Sequence, residues 1–420
     1  MRQYASEELD REGETEDTRD RHLDHYHQLM LEATGRDGMY FIPGPEWFER
    51  FERDIENLLE AMSWARTAPA ASTNGLSRVG RGLRIGARLQ IFWESMSLFL
   101  AVRVTLEGLL ERADGEPSEW VIHAIYVLGM MSVGLGDYEV ASAHLERTLE
   151  MSRAMGSKDS LRRSVNAVGT LLARKGDFEG ARPYIEEGLA LAREIGEPVR
   201  IAGSLQNLAL TVVDDTERWR AHTREALGLY RQQKQHSGIA DCLLNLGQSQ
   251  GFHGDNQGAR DLLEEALPHA LIAGRRGRII GTRVCLALWL GRLGDVERAR
   301  IQLIEAMDII ENDANPDMEA LIPLIDACMC LALNFGEPDR AVRYTMARRT
   351  LWKAMGIGSH PEELRFFDRE EAAARAALRE ATGSDGATAR AEAEGRSLTL
   401  DALLGDFAVW IRGMKTKADA

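Results

Sequence analysis

The stretch Gly136-Asp137-Tyr138-Glu139-Val140-Ala141 recurs in altered form at intervals of about forty residues. Each copy has a glycine, an acidic residue, three variable residues and an alanine. Further copies begin at Gly176, Gly254, Gly294 and Gly336. The longer gap between the second and third glycines spans two intervals, and its altered turn lies around Asp214 and Asp215. One interval before the first glycine lies Met96, between two apolar helical patterns.

The residues around each turn follow helical spacing and not the alternation of a strand. Apolar residues follow the last alanine of the turn at i+4 and i+8, as Leu145 and Leu149 follow Ala141. A small residue stands seven positions before the turn: Gly129, Gly169, Ala209, Gly247 and Ala287. This spacing of two helical turns places the small residue on the buried side of a first helix, where a second helix can approach closely.

The ends of the second helices also carry recognisable signals. The aspartate that follows four of the five turn glycines is suited to cap the start of the next helix. Glycines suited to left-handed caps end several second helices, at Gly156, Gly196, Gly274 and Gly356. This arrangement is typical of tetratricopeptide (TPR) repeats. We therefore predict an all-α fold, a TPR-like right-handed superhelical solenoid of about seven helix–turn–helix repeats with a concave inner face and helical caps at both ends.

Charge and composition divide the chain further. It has 420 residues, with 66 Asp and Glu against 51 Lys and Arg, so its net charge is −15. Residues 1–66 hold 17 acidic and 8 basic residues, a net of −9. We predict an acidic helical segment at 1–66, with helices near 18–33 and 45–66, and a linker at 67–77. The repeat array follows at 78–356 and a C-terminal helical cap at 357–420, with helices near 361–381 and 398–411.

Several classes of function are excluded by what the sequence lacks. It has no apolar run long enough to cross a bilayer and no signal peptide pattern. The four cysteines, Cys242, Cys285, Cys328 and Cys330, lie in apolar stretches and indicate reduced core residues of a cytoplasmic protein. P-loop, Rossmann and metal-ligand motifs are absent, so we expect no enzyme, catalytic residue, cofactor or metal. An acidic chain is also a poor direct ligand for nucleic acid.

The polar residues predicted on the concave face are the candidate binding residues. They are Arg163, Asn166, Thr170, Asn207, Asp241, Asn245 and Gln248, and His123 lies at a similar position. Asparagine is a weak helix former, yet it recurs at similar places in three adjacent first helices. Either each asparagine bonds the neighbouring repeat, or the amides form a ladder that bonds an extended peptide or a small polar effector.

A second candidate is a row of arginines at helical spacing in the first repeat. It comprises Arg78, Arg81, Arg84 and Arg88. Their charges have two explanations. The arginines pair with the acidic N-terminal segment or lie in solvent, or they form a site for an anion or an acidic partner.

Several segments resemble one family of bacterial regulators. Residues 1–9, Met-Arg-Gln-Tyr-Ala-Ser-Glu-Glu-Leu, followed by Arg21-His22, resemble the end of the winged-helix part of AfsR/SARP- and LuxR-type activators. The helix with Trp47, Phe48, Phe51 and Trp64 is similar to the helix that leads into their TPR array. Leu-Gln-Asn-Leu-Ala at 205–209, Leu-Leu-Asn-Leu-Gly at 243–247 and residues 394–401 are similar to their repeat signature and C-terminal ending.

The resemblance implies a regulatory module without the family's enzymatic parts. Those relatives carry a STAND ATPase and a DNA-binding or cyclase domain upstream, and no residues here match those motifs. The chain therefore resembles their sensor tail alone, as a fragment or as a free-standing protein. We expect a protein or peptide partner, which the resemblance extends to a separate ATPase or DNA-binding regulator, or a small polar effector. The alternative is a structural adaptor, without a small ligand, that associates with itself as a homo-oligomer.

Overall fold

The computed structural model describes residues 11–34, 45–69, 72–73, 76–96, 98–113, 118–209, 211–212, 215–312, 318–355 and 361–413. Within these ranges the chain forms 21 α-helices, which confirms the all-α class. The single exception among the described residues is a short antiparallel pair, Ser72–Thr73 (β1) with Leu76–Ser77 (β2), inside the predicted linker. The contacts divide the chain into two compact units, Met1–Glu197 and Pro198–Ala420.

The first unit contains three N-terminal helices and three repeats. Its helices are α1 Thr15–Thr34, α2 Pro45–Arg53, α3 Ile55–Thr67, α4 Arg78–Arg88, α5 Gln90–Ser95, α6 Phe99–Arg112, α7 Glu119–Gly134, α8 Tyr138–Met155, α9 Lys158–Arg174 and α10 Phe178–Ile195. The pairs α4/α6, α7/α8 and α9/α10 are repeats one to three, and α5 is an extra short helix in the first. Helices α1 and α3 pack on α4.

The second unit contains four repeats and a helical cap. Its helices are α11 Pro198–Ala209, α12 Thr216–Gln232, α13 His236–Phe252, α14 Asn256–Ala273, α15 Arg276–Arg292, α16 Val296–Glu311, α17 Met318–Asn334, α18 Pro338–Met355, α19 Pro361–Thr382, α20 Asp385–Ser397 and α21 Leu400–Gly413. The pairs α11/α12 to α17/α18 are repeats four to seven. We call the first helix of each repeat its A helix and the second its B helix.

The turn between the A and B helices forms as its residues predict. All five turn glycines have positive φ, between 74° at Gly336 and 94° at Gly254, where a side chain would be strained. The Asp177 and Asp255 side chains cap the following helices, because each accepts a hydrogen bond of 2.9 Å from the backbone N–H three residues later. Asp215 does the same in the altered turn of repeat four, with a bond of 3.0 Å from the Arg218 N–H.

The small residues of the A helices allow the close approach predicted for them. A Cβ atom on Gly169 would lie 2.4 Å from Ile185 Cγ1, and one on Gly247 would lie 3.0 Å from Leu263 Cγ. Both contacts are with the apolar residue four positions after the turn alanine of the same repeat. A larger side chain would therefore separate the two helices of the repeat.

Three predicted elements differ from the structure. The helix predicted over 45–66 is two helices, because the backbone leaves the helical path at Asp54, with φ −104° and ψ 11°. Helix α20 lies where we predicted none, and the last helix begins at Leu400 instead of Leu398. The predicted cap glycine Gly356 lies outside the described residues. The domain boundaries predicted from composition stay a prediction.

Candidate functional site

Neighbouring A helices contact one another in repeats one to three and in repeats five to seven. Helix α7 contacts α9 in the first unit, and α13 contacts α15, which in turn contacts α17, in the second. In repeat arrays of this kind, the helices that pack closest together line the inner side of the curve. The polar side chains predicted to bind a ligand all lie on A helices, and we call the surface that these helices share in each unit its inner face.

Two asparagines of the second unit keep their amides available. Asn207 on α11 and Asn245 on α13 are both half-buried, and neither has a hydrogen-bonding partner among the described residues. An amide has two donors on nitrogen and an acceptor oxygen, so it can bond both the C=O and the N–H of a peptide. These two residues therefore have the binding capacity expected of a ligand contact.

Two other predicted residues of this unit bond to the next A helix. Asp241 Oδ1 lies 2.7 Å from Arg278 Nε in an ion pair, and its other oxygen lies 3.7 Å from Arg275 Nη1. Gln248 Nε2 donates to Cys285 Sγ at 3.2 Å. Asp241 and Gln248 thus tie α13 to α15. This is the structural role that we weighed for the asparagines.

Beyond Gln248 the inner face of the second unit is covered by cap helix α19. Phe367 of α19 lines a small indentation together with Gln248, Phe252, Leu288, Trp289 and Asp326. The Phe252 and Phe366 rings lie 5.1 Å apart, and Arg292 pairs with Glu370 at 2.7 Å. Asp326 and Arg348 form a buried ion pair beside this indentation, with the guanidinium 4.5 Å from the Phe367 ring centroid.

All four cysteines are buried, and none is in a disulfide, as predicted for core residues. Burial raises the pKa of Cys242 to about 12 and raises the pKa values of Cys328 and Cys330 well above the usual range. These thiols therefore stay protonated at neutral pH and are unsuited to act as nucleophiles.

The predicted residues of the first unit differ in exposure. Asn166 is 6% exposed and lies against the B helix of its own repeat, because a Cβ on Gly188 would be only 2.4 Å from Asn166 Oδ1. Arg163 is also buried and pairs with Asp159 at 3.3 Å. Thr170 is half-buried. Asn166 therefore contributes to the packing of repeat three, and the three predicted asparagines are not equivalent.

The arginine row of the first repeat is divided between two environments. Arg78 is 4% exposed and forms two bonds of 2.6 Å to Asp20 of α1, with a third, of 3.1 Å, to Glu16. Arg81 Nη1 bonds to Asp24 of the same helix. For these two arginines the partner is the acidic N-terminal segment, one of the two explanations that the sequence offered.

Arg84 and Arg88 instead lie against an aromatic ring. Their guanidinium carbons are 4.7 and 5.4 Å from the ring centroid of Trp120 at the start of α7. No signal in the sequence joined Trp120 to this row, because the two parts lie more than thirty residues apart and share no motif.

His27 of α1 is buried close to these charges. It is 2% exposed, and its Nε2 has no hydrogen-bonding partner among the described residues. Burial lowers the pKa of His27 to about 4, and the positive charges of Arg84 and Arg81 contribute to the decrease. The folded protein therefore holds this imidazole neutral at pH values where the unfolded chain protonates it.

We expect His27→Leu to reduce the loss of stability in acid. Between pH 6.5 and 4 the unfolded chain takes up a proton that the native state excludes, so the free energy of unfolding falls as pH falls. Between pH 7 and 5 the wild type should lose about 2 kcal/mol more than the variant. Urea unfolding at both pH values measures this difference. His25→Gln, at an exposed position of the same helix, is the control, and equal losses in wild type and His27→Leu would contradict the expectation.

The residues that the structure describes lack two kinds of feature. No helix among them is long and apolar enough to cross a membrane. They also contain no group of three or more His, Cys, Asp and Glu side chains placed to hold a metal ion.

The fold is similar to that of solved helical-repeat proteins. A Rap protein complexed with Competence and Sporulation Factor has a TM-score of 0.52 and 14% identity, over 94% of this chain and 98% of that one. The Rap conjugation gene regulator of plasmid pLS20, in complex with the Phr* peptide, has a TM-score of 0.48 and 14% identity, over 88% and 98%. The apo form of the quorum sensor NprR from B. thuringiensis has a TM-score of 0.43 and 14% sequence identity. This match covers 85% of this chain and 99% of that one. No family model and no curated protein matches the chain.

At this level of identity the similarity concerns the fold alone. The Rap protein with the TM-score above 0.5 is aligned over almost its entire length, so the likeness extends over the repeats and the flanking helices together. This confirms the TPR-like helix–turn–helix architecture predicted from the glycine-containing turns.

Proposed function

We propose that the chain is a non-catalytic regulatory module that binds an extended peptide, or an extended segment of a protein, on the inner face of its second unit. The observation that carries this proposal is the pair of half-buried amides, Asn207 and Asn245, which have no hydrogen-bonding partner among the described residues. Both side chains are partly exposed, so a bound peptide backbone can bond the two amides in place of solvent.

Two further considerations support a binding role. The Rap protein of similar fold is itself complexed with Competence and Sporulation Factor. The segments that resemble AfsR/SARP- and LuxR-type regulators favour a bacterial regulatory system, with a separate ATPase or DNA-binding regulator as the protein partner. The segment at 1–9 that contributes to this resemblance lies outside the described residues.

The test is direct peptide selection on the full chain. A displayed library of linear seven-residue peptides is selected against the wild type, and the enriched peptides are synthesised with a fluorescent label for anisotropy. Asn207→Ala and Asn245→Ala should each weaken binding about 5- to 10-fold, since each removes about one hydrogen bond's worth of free energy. The double variant should weaken binding about 50-fold, because the two contacts lie on different helices.

The controls separate loss of binding from loss of fold. Asn312→Ala changes an exposed asparagine that bonds only its own helix, through Nδ2 to the Asp308 carbonyl oxygen, and should leave the affinity unchanged. Circular dichroism verifies the helix content of every variant. An enriched peptide that binds the double variant as tightly as the wild type would refute the proposal. A dimer in light scattering that gives no enriched peptide would favour the alternative, a self-associating structural adaptor.

A further inference from the structure

The A and B helices of repeats four to six differ in charge. The three A helices, α11, α13 and α15, carry five arginines and a single acidic residue, Asp241. The three B helices, α12, α14 and α16, carry nine acidic and seven basic residues. The excess of positive charge in these repeats therefore lies on the A helices, which form the inner face.

Two arginines at the start of α15 share the one carboxylate of these A helices. Arg278 Nε lies 2.7 Å from Asp241 Oδ1, and Arg275 Nη1 lies 3.7 Å from Asp241 Oδ2. Neither guanidinium has a further acidic or hydrogen-bonding partner among the residues that the structure describes. We call these three residues the basic cluster. Within the described ranges, it has one more positive charge than negative charge.

Two arginines farther along α15 each have a carboxylate of their own. Arg283 pairs with Glu305 of the B helix α16, and Arg292 pairs with Glu370 of α19 at 2.7 Å. The basic cluster differs from these pairs, because one carboxylate there has to serve two guanidinium groups.

The basic cluster is open to a ligand. The side chains of Arg275 and Arg278 are 27% and 34% exposed, so a ligand reaches both without any opening of the core. A guanidinium has five N–H donors, and Asp241 lies beside only one nitrogen of each. The remaining donors can bond a second carboxylate, with the paired geometry that the planar guanidinium favours.

The basic cluster also lies beside one of the two available amides. Asp241 and Asn245 are four residues apart on α13, so they share a helix face and are about 6 Å apart along its axis. An extended peptide advances about 3.3 Å per residue. The basic cluster is therefore about two ligand residues away from the peptide group that Asn245 would bond.

We propose that Arg275 and Arg278 bind a carboxylate group of the peptide ligand, and that Asp241 positions their guanidinium groups. The inference rests on the proposed function, because the same peptide bonds to Asn245. The carboxylate belongs to an Asp or Glu side chain or to the free C-terminus of the peptide, since both offer the same pair of oxygens. The ligand is thus a peptide with a negative charge close to the residue held by Asn245.

Removal of the carboxylate from the ligand tests the proposal on the wild type. The seven-residue library is displayed with free C-termini, and each enriched peptide is synthesised in three forms. One is unchanged, one has an amidated C-terminus, and one has Asn or Gln in place of Asp or Glu. Loss of the bound carboxylate should weaken binding to the full chain about 10-fold in anisotropy. The form that loses affinity identifies the source of the carboxylate.

Two variants should change the affinity in opposite directions. Arg278→Met should weaken binding of the unchanged peptide about 10-fold and remove its advantage over the form without the carboxylate. Asp241→Asn should strengthen binding about 5-fold, because the competing carboxylate is gone, and damage to the fold cannot produce such a gain. Arg298→Met is the control. It removes a half-exposed arginine that pairs with Glu264 at 2.6 Å between two B helices, and should leave the affinity unchanged.

The outcomes separate this proposal from the proposed function. If the forms without a carboxylate bind the wild type as tightly as the unchanged peptide, while the double asparagine variant binds weakly, this proposal is overturned and the peptide site stands. A folded Arg278→Met protein that still prefers the carboxylate form overturns it as well. If the double asparagine variant binds every enriched peptide as the wild type does, both proposals fall.

Discussion

Asp326→Ala is expected to lower the free energy of unfolding of the second unit by about 3–5 kcal/mol. The Asp326 carboxylate and the Arg348 guanidinium are both almost completely buried, and they bond directly between α17 and α18. Removal of the carboxylate leaves the guanidinium in the core without the charge that stabilised it there. Urea unfolding, followed by circular dichroism and tryptophan fluorescence, measures the loss.

Removal of both members of this pair should be far less damaging than removal of one. The double variant Asp326→Leu with Arg348→Met replaces the pair by apolar side chains, and we expect its stability within about 2 kcal/mol of the wild type. Asp308→Ala is the matched control, because Asp308 pairs with Arg412 at 3.2 Å on the surface, where ion pairs contribute about 1 kcal/mol or less. A single variant Asp326→Ala as stable as Asp308→Ala would contradict the argument.

Arg78→Met is expected to have an effect of similar size on the first unit. Buried Arg78 bonds to both oxygens of Asp20 and to Glu16 on α1, and it donates to the Pro69 carbonyl oxygen at 2.7 Å. Asp20 also accepts from the Trp64 indole N–H at 2.9 Å, so one arginine connects α1, α3 and α4. We expect a loss of about 3–5 kcal/mol and detachment of α1.

Limited proteolysis distinguishes detachment of α1 from general unfolding. Cleavage within residues 15–34 should become much faster in Arg78→Met, whereas the cleavage pattern of residues 118–195 should change little. Arg21→Met, at an exposed position of α1 whose arginine bonds only within that helix, serves as the control. If α1 were cut equally fast in both variants, the Arg78 contacts would not be what holds it.

The repeats could be predicted from the sequence because their signals are local. A turn glycine with positive φ, a capping aspartate and a small residue two helical turns earlier each act within a few residues of one another. The break at Asp54 gave no such signal, because the apolar spacing continues through it. Helix α20, with its many alanines and charged residues, lacked the apolar stripe on which our helix predictions depended.

The candidate sites were less predictable because they depend on contacts between distant residues. The spacing of the asparagines indicated a shared role, but only the packing of Asn166 against Gly188 distinguishes it from Asn207 and Asn245. Likewise, the arginine row was visible in the sequence, whereas its division between α1 and Trp120 was not. Helical periodicity predicts the face of the helix on which a residue lies, but it does not predict which residue of another helix it contacts.

Helix α19 would limit the length of a peptide bound as proposed above. Its Phe366 and Phe367 lie against Phe252, only two helical turns beyond Asn245 on α13. An extended ligand that spans the two asparagines would meet this aromatic wall, so the chain would accept a limited number of ligand residues and reject longer ones that cannot turn away. The second unit would then select its ligands by length as well as by sequence.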